Sequence, residues 1–307
     1  MHKSVAECEE KVKILVLGGS YFLGKTFVRL AAECNEIYVL NRGNQPLYEE
    51  NVIEYVMDRH DIEAISGISE KDFDVVVDFC GYNAGDIKLI FDNLKASFSQ
   101  YVFVSTCDVY RRGSGKLLDE NAPFEERYFG GPAGDYISGK VALEKELKEC
   151  CMEKNTAYTS IRPAFIYGPD NYAPRESMYF NWIVNAGQII HPYDATGHFQ
   201  MAFVLDVAKA ILLVCGNKAA YNRAYNICDS EFMTYESFAD LMEEVLNMQF
   251  ERLEMSVEDV VARNIMLPFP LTKEEAESYD GTAIKELGFS YTPIEQGMAV
   301  TADYYMS

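Results

Sequence analysis

The sequence predicts an α/β fold, a doubly wound parallel sheet with a smaller C-terminal α/β lobe. Three observations carry this. Apolar, β-branched runs such as residues 12–17 and the VVVDF run of residues 75–79 recur along the first half of the chain. They are continuous rather than alternating, as in strands buried on both faces. They are interleaved with segments of helical period, and the first run is cut from the first helix by Gly18, Gly19 and Gly24.

Taken in order, the first strand covers 12–17, and the helix after the glycines places Leu23, Phe27, Leu30, Ala31 and Cys34 on one face. A second strand at 37–40 ends in Asn41 and Arg42, and a third at 52–57 ends at Asp58. The fourth strand, 74–79, runs into Cys80, Gly81 and Tyr82; a helix over 86–96 leads to a fifth at 101–104, followed by Ser105 and Thr106. The Gly-, Pro- and charge-rich stretch 111–132 reads as a long loop, of the kind that borders active sites at the carboxyl edge of such sheets. A helix over 135–153 carries Tyr136 and Lys140, and a strand at 158–161 gives way to Arg162 and Pro163. From 170 the pattern loosens; a helix at 204–215 and a strand at 224–228 restore it and should rejoin the sheet. The last part reads as helices over 235–246, with Thr234 as N-cap, 282–287 and 293–305. The expected division is a dinucleotide-binding Rossmann domain of 1–168 with 199–228, and a substrate-binding lobe of 169–198 with 229–307.

The 307 residues, 49% hydrophobic, suffice for such a core, and no run is long and apolar enough for a membrane helix or a signal peptide, so a cytoplasmic protein without membrane partners is expected. Eight cysteines lack metal spacing and sit mostly in apolar stretches, which suits a reducing compartment; adjacent Cys150 and Cys151 are a redox pair only at the cost of strain. His2, His60, His191 and His198 form no metal spacing either, so no metal is expected and each reads as a surface or loop residue. A net charge of −21 argues against nucleic acid as partner.

The glycine turn offers backbone N–H groups of Gly18, Gly19, Ser20, Tyr21, Phe22, Leu23 and Gly24 at a helix start, a cradle for the pyrophosphate of a dinucleotide. At the tip of the second strand a carboxylate would favour NAD; here Asn41 and Arg42 stand instead, a neutral partner and a fork of donors suited to a 2′-phosphate, unless Arg42 is a solvated loop residue. NADP is therefore favoured over NAD. Tyr136 and Lys140, four apart, share a helix face, where an ammonium favours a tyrosine phenolate able to exchange a proton with a hydroxyl. With 21 tyrosines a chance match is expected, and Tyr21 with Lys25 is one, but it lies in the phosphate turn. A hydroxyl at the end of the fifth strand would complete the set; strand alternation favours Thr106 over Ser105.

The GGSYFLG turn, the STCDVY run, Tyr136 with Lys140, RPAFIYGP, FQMAFVLDVAKAI and AIKELGFSYTPIEQGM, in this order, resemble the extended or atypical short-chain dehydrogenase/reductases of the NAD-dependent epimerase/dehydratase branch. The resemblance is to its subgroup with a Gly-Gly-x-x-x-x-Gly turn, which includes isoflavone-reductase-like and chloroplast stem-loop-binding-like proteins. It implies a Rossmann sheet, bound NAD or NADP, a pyrophosphate turn at Gly18, Gly19 and Gly24, a ribose contact at Arg42 and an adenine contact at Asp58. It further implies a Thr106, Tyr136, Lys140 triad, with Lys140 also reaching the nicotinamide ribose, Pro163 against the nicotinamide, and Cys80, Gly81 and Tyr82 beside the cofactor. The sequence departs from relatives at Tyr21, where a middle glycine is usual, and at Cys107, which replaces the first acid of a dehydratase pair; Asp108 is either a general base or a loop anchor. Tyr167, Tyr172, Tyr179, Phe180 and Trp182 are candidates for a substrate wall or for lobe core, and Arg162 and Arg175 for a diphosphate. Leu143 and Leu147 permit a homodimer. The expected function is an NAD(P)-dependent oxidoreductase acting on a small molecule such as a sugar nucleotide; a cofactor-binding scaffold and an RNA-binding protein are the alternatives.

Overall fold

The structure is a computed structural model that describes residues 11–47, 49 and 51–307. His2 and Cys8 lie outside the described residues. The chain divides into two compact units: residues up to Val109 with Glu125–Arg162 and Ala208–Tyr225, and Tyr110–Phe124 with Pro163–Val207 and Asn226–Ser307.

The elements follow the expected order. β1 (Lys13–Leu17), α1 (Phe22–Ala31), β2 (Glu36–Asn41), β3 (Val52–Val56), α2 (Ile62–Ser66), β4 (Asp72–Asp78), α3 (Asp86–Asn93) and β5 (Ser97–Val104) come first. β6 (Leu117–Leu118) precedes α4 (Gly131–Lys154), β7 (Ala157–Pro163), β8 (Phe165–Tyr167), α5 (Glu176–Ala186), β9 (Gln188–Pro192), β10 (Met201–Phe203), α6 (Val204–Val214) and β11 (Arg223–Ile227). α7 (Tyr235–Leu246), β12 (Glu251–Met255), α8 (Val257–Ala262), β13 (Ser278–Tyr279) and α9 (Ile294–Met306) complete the chain, with single 3₁₀ turns at Cys107–Val109, Lys218–Ala220 and Ala283–Leu287.

The large sheet has the order β11-β7-β5-β4-β1-β2-β3 and is a Rossmann sheet. Its pairings are parallel, with Leu17 beside Leu40 on one side and Asp78 on the other, and Asp78 beside Phe103. The strand order reverses at β1, whose carboxyl end therefore opens between two strands, the place where such sheets receive ligands. Ile14, Leu15, Val16 and Leu17 are fully buried, as are Val75, Val76 and Val77, which accounts for their unbroken apolar runs. One core layer packs Leu15, Leu17, Val76, Ile87, Ile90, Phe103, Leu143 and Leu147 together. Leu143 and Leu147 thus face the interior of their own unit, and their burial removes them as a dimer surface.

In the second unit β8 pairs with β10, β9 with β12 and β6 with β13, all parallel. Its core is aromatic: Phe199 stacks on Phe269 at 3.7 Å between centroids, with Phe165, Tyr235 and Phe238 edge-on. Tyr167, Tyr179 and Phe180 are buried, whereas Tyr172 is exposed. α7 begins as predicted, Thr234 and Ser237 forming a reciprocal cap.

Several features differ from the sequence reading. α2 was not anticipated: it is a single turn, too short to show a period, and is started by Asp61, whose carboxylate accepts from the Ala64 N–H. α5 lies in the loosely patterned stretch after residue 170, because its apolar residues are spread round it: Tyr179, Phe180 and Ile183 are buried and Val184 is exposed. The 111–132 loop contains β6, and its end is already helix, α4 starting at Gly131 and Pro132. His191 is a strand residue, 4% exposed, with Nε2 2.9 Å from the Glu236 carboxylate, and not a surface or loop histidine. Among the described residues Cys80, Cys107, Cys150, Cys151, Cys215 and Cys228 are free thiols, and Cys34 is disulfide-bonded, which the expectation of a reducing compartment does not include.

Candidate active site

The site is built at the carboxyl edge of the large sheet, within the first unit. Gly18 and Gly19 hold φ of +83° and +132°, conformations that side chains rarely adopt. A Cβ on Gly24 would sit 2.8 Å from the Gly19 Cα, so only glycine lets the first turn of α1 lie against the strand exit. Tyr21 is the N-cap of α1, and neither a side-chain cap nor an acid occupies the first turn. A helix start of this kind, opening from a glycine turn, has the geometry of a pyrophosphate cradle. The Tyr21 side chain is 52% exposed rather than packed into the turn, while Phe22 and Leu23 are buried and Ser20 half-buried.

At the tip of β2, Asn41 is buried: its amide donates to Glu54 (2.7 Å) and its oxygen accepts from the Gly43 N–H (2.7 Å). Arg42 is exposed; the Asp58 carboxyl is held below its usual range first by the hydrogen bonds it accepts from His60 and last by the charge of Arg42. The Arg42 charge is thus felt at Asp58, whereas the Asn41 side chain is committed to the fold.

Beneath this edge lies a network that the sequence reading missed. Arg59, 6% exposed, donates to both Asp78 oxygens (2.8 and 3.1 Å), to the Asp86 carbonyl (2.7 Å) and to the Cys80 sulfur (3.3 Å). Tyr101 donates to Asp78 (2.7 Å), as does the Cys80 N–H (2.9 Å). Burial opposes charge on Asp78, but the Arg59 guanidinium overrides it and holds the carboxyl below the usual range. Burial, with Asp78 second, pushes the Cys80 thiol up to about 12, so it is no nucleophile at neutral pH. The one signal in the sequence was a carboxylate inside the apolar VVVDF run.

α4 presents Lys140 and Tyr136 from one face. Lys140 is 2% exposed; its Nζ donates to the Val104 carbonyl (2.8 Å) and lies 4.7 Å from the Phe103 ring centroid, 4.9 Å from that of Tyr82 and 5.9 Å from that of Tyr136. Desolvation brings its ammonium down to about 8, opposed chiefly by the Asp78 carboxylate. Tyr136 is partly exposed, at 38%. Gly139 lets the Tyr82 backbone reach the helix: a Cβ there would fall 2.1 Å from the Tyr82 oxygen. Thr106, just beyond β5, is buried; its Oγ1 accepts from the Asp108 N–H (3.2 Å) and approaches the Asp108 carboxylate at 3.5 Å. Pro163 ends β7 and is buried. Arg162 is not a ligand cation: it is 1% exposed and donates through Nε and Nη2 to Glu144 (2.8 and 2.9 Å). In the second unit Arg175 is held by the Ile166 carbonyl (3.2 Å) and the Phe165 ring.

A parallel sheet whose strand order reverses at β1, with a glycine-built turn leading into α1, defines a Rossmann-type protein. The chain matches the NAD dependent epimerase/dehydratase family over residues 14–228, and it belongs to that family. It is 30% identical over 251 residues to the chloroplast stem-loop binding protein of 41 kDa b of Arabidopsis thaliana; the match covers 76% of this chain and 63% of that relative's length. Among solved structures, the UDP-N-acetylglucosamine 4-epimerase of Methanobrevibacter ruminantium, in complex with UDP-N-acetylmuramic acid, superposes with a TM-score of 0.77 at 16% identity, covering 97% of this chain and 99% of that one. The dTDP-glucose 4,6-dehydratase DesIV of Streptomyces venezuelae, with NAD and TYD bound, does so with 0.75 at 19% identity, covering 95% and 96%. These structural likenesses show the fold.

Proposed function

We propose that the protein is an NAD(P)-dependent enzyme that acts on a sugar nucleotide by transient oxidation and reduction at a carbinol carbon. The observation that carries this is Lys140, a buried ammonium beside Tyr136 on the face of α4. Such a charge has a cost in a low-dielectric site and serves to favour a neighbouring phenolate.

The glycine turn and the start of α1 fit a pyrophosphate, and Gly18, Gly19, Ser20, Tyr21, Phe22, Leu23 and Gly24 are proposed to hold it. Arg42 and Asp58 would take the adenosine end, and Cys80, Gly81, Tyr82 and Lys140 the nicotinamide half. The nicotinamide, when bound, supplies a reversible hydride acceptor. Tyr136 takes the proton of the substrate hydroxyl as that carbon is oxidised, and returns it on reduction. Lys140 keeps the phenolate form accessible, and Thr106, whose contact with the Asp108 carboxylate is at the limit of a hydrogen bond, turns its O–H to the substrate oxygen. The sugar-nucleotide class is supported by the ligands named for the epimerase and dehydratase structures.

Replacing Tyr136 by Phe should abolish turnover across a panel of UDP- and dTDP-sugars while cofactor affinity, read by calorimetry, stays within about threefold. Retained turnover would refute the role of Tyr136. The Arabidopsis relative's name supports a second reading, nucleic-acid binding. A net charge of −21 opposes it, and retention of stem-loop RNA at 150 mM salt in place of sugar-nucleotide turnover would favour it.

A further inference from the structure

We propose that His60 is a positioning residue for the cofactor: as an imidazolium it fastens the Asp58 turn to the β4–α3 loop and so shapes the adenosine end of the dinucleotide site. The proposal rests on the reading of this edge as an NAD(P) site. Its basis is geometric. The His60 ring stands between two carboxylates, with Nδ1 3.0 Å from Asp58 Oδ1 and Nε2 2.9 Å from Asp86 Oδ1. A neutral imidazole has a single N–H and satisfies one of them; only the cation donates to both.

The two carboxylates belong to different loops. Asp58 lies two residues beyond β3 and also accepts from the His60 N–H at 2.9 Å. Asp86 begins α3 and is 4% exposed; its other oxygen accepts from the N–H groups of Tyr82 (2.9 Å) and Asn83 (3.0 Å). The ring therefore links a turn assigned to adenosine with a loop assigned to the nicotinamide half. The charged groups around it are Asp58 and Asp86 themselves, Arg42 acting on Asp58, and Arg59 held to the Asp86 carbonyl. Hydrogen bonding to Asp86 raises the His60 pKa; desolvation, second in size, opposes it, and the hydrogen bond to Asp58 and the two carboxylate charges add to the rise. The sign follows: the link is complete below the ordinary histidine pKa and is lost as pH rises through the raised one.

Where binding requires the fastened form, apparent affinity falls with its population. Two partly exposed ion pairs are together of a size to weaken NADH or NADPH binding about two- to fivefold between pH 6 and pH 8.5. His60→Gln should give the weak affinity at both pH values, and His60→Arg, a fixed cation with forked donors, the tight affinity at both. The pH dependence and its rescue by arginine are readouts that loss of packing would not produce. Hydrogen exchange at the Tyr82 and Asn83 amides in the protein without cofactor provides a second arm, faster at pH 8.5 and in His60→Gln than base catalysis alone explains, and restored in His60→Arg. Equal affinities in the three proteins with no pH dependence overturn the proposal. If neither cofactor binds at any pH, the site reading fails, and the exchange arm alone decides: unchanged protection at the two amides overturns the link.

Discussion

The Glu144–Arg162 pair allows a quantitative test of how α4, the helix that carries Tyr136 and Lys140, is anchored. Glu144 is fully buried, one turn beyond Lys140, and accepts from Arg162 Nε and Nη2 and from the Ser160 hydroxyl at 2.5 Å. Burial alone would raise its carboxyl, but the guanidinium holds it below the usual range. Glu144→Gln keeps the shape, removes the charge, and turns an amide N–H₂ toward donors, leaving a guanidinium that is 1% exposed without its counter-charge. Breaking such a pair from one side costs about 3–5 kcal/mol, a large part of a typical stability of roughly 5–15 kcal/mol. In a chain of this size that corresponds to a fall in Tm of about 5–10 °C by scanning calorimetry. Replacing both partners, Glu144→Leu with Arg162→Met, removes the stranded charge and should recover at least half of the loss. The lowered carboxyl contributes stability that is present above the unfolded-state pKa and fades as pH falls through the folded one, so the wild-type and Glu144→Gln melting curves should converge in acid. A Tm within about 1 °C of wild type for the single variant, or a double variant no better than the single, would refute the reasoning.

Two further outcomes follow from the site. Gly24→Ala pushes a methyl group against the Gly19 backbone, which has no side chain to move aside; cofactor affinity should fall at least tenfold, and unchanged affinity would remove the glycine turn from the site. Because the Lys140 ammonium is brought down to about 8, kcat/KM should fall as pH rises through that value, the charged form being present below it and lost above. Lys140→Arg, charged throughout, should lack this limb, and an identical profile in the variant would assign it to another group.

What the sequence made legible was what short range dictates. Unbroken apolar runs marked buried strands, Gly18, Gly19 and Gly24 marked a turn that tolerates no Cβ, Thr234 marked the start of α7, and a four-residue spacing put Tyr136 and Lys140 on one face. What stayed hidden depends on partners far apart in the chain. Arg59 and Asp78 are separated by 19 residues and Glu144 and Arg162 by 18, and nothing local distinguishes such buried pairs from solvated charges. That is why Arg162 was offered to a diphosphate. Leu143 and Leu147 fit a core or a dimer equally well until the neighbouring helix and sheet are in place. Asn41 and Arg42 are adjacent, yet only the contact with Glu54 on β3 shows that the first is spent on the fold and the second is exposed.

The central claim is hydride transfer between a sugar nucleotide and the dinucleotide, with Tyr136 moving the proton. It is tested most directly by mixing the NAD(P)-loaded protein with UDP- and dTDP-sugars deuterated at the carbinol carbons, quenching, and weighing the cofactor by mass spectrometry. The account predicts cofactor heavier by one deuterium in the wild type and none in Tyr136→Phe. Cofactor and sugar nucleotide both bound, with no deuterium on the cofactor from any sugar of the panel, would contradict it.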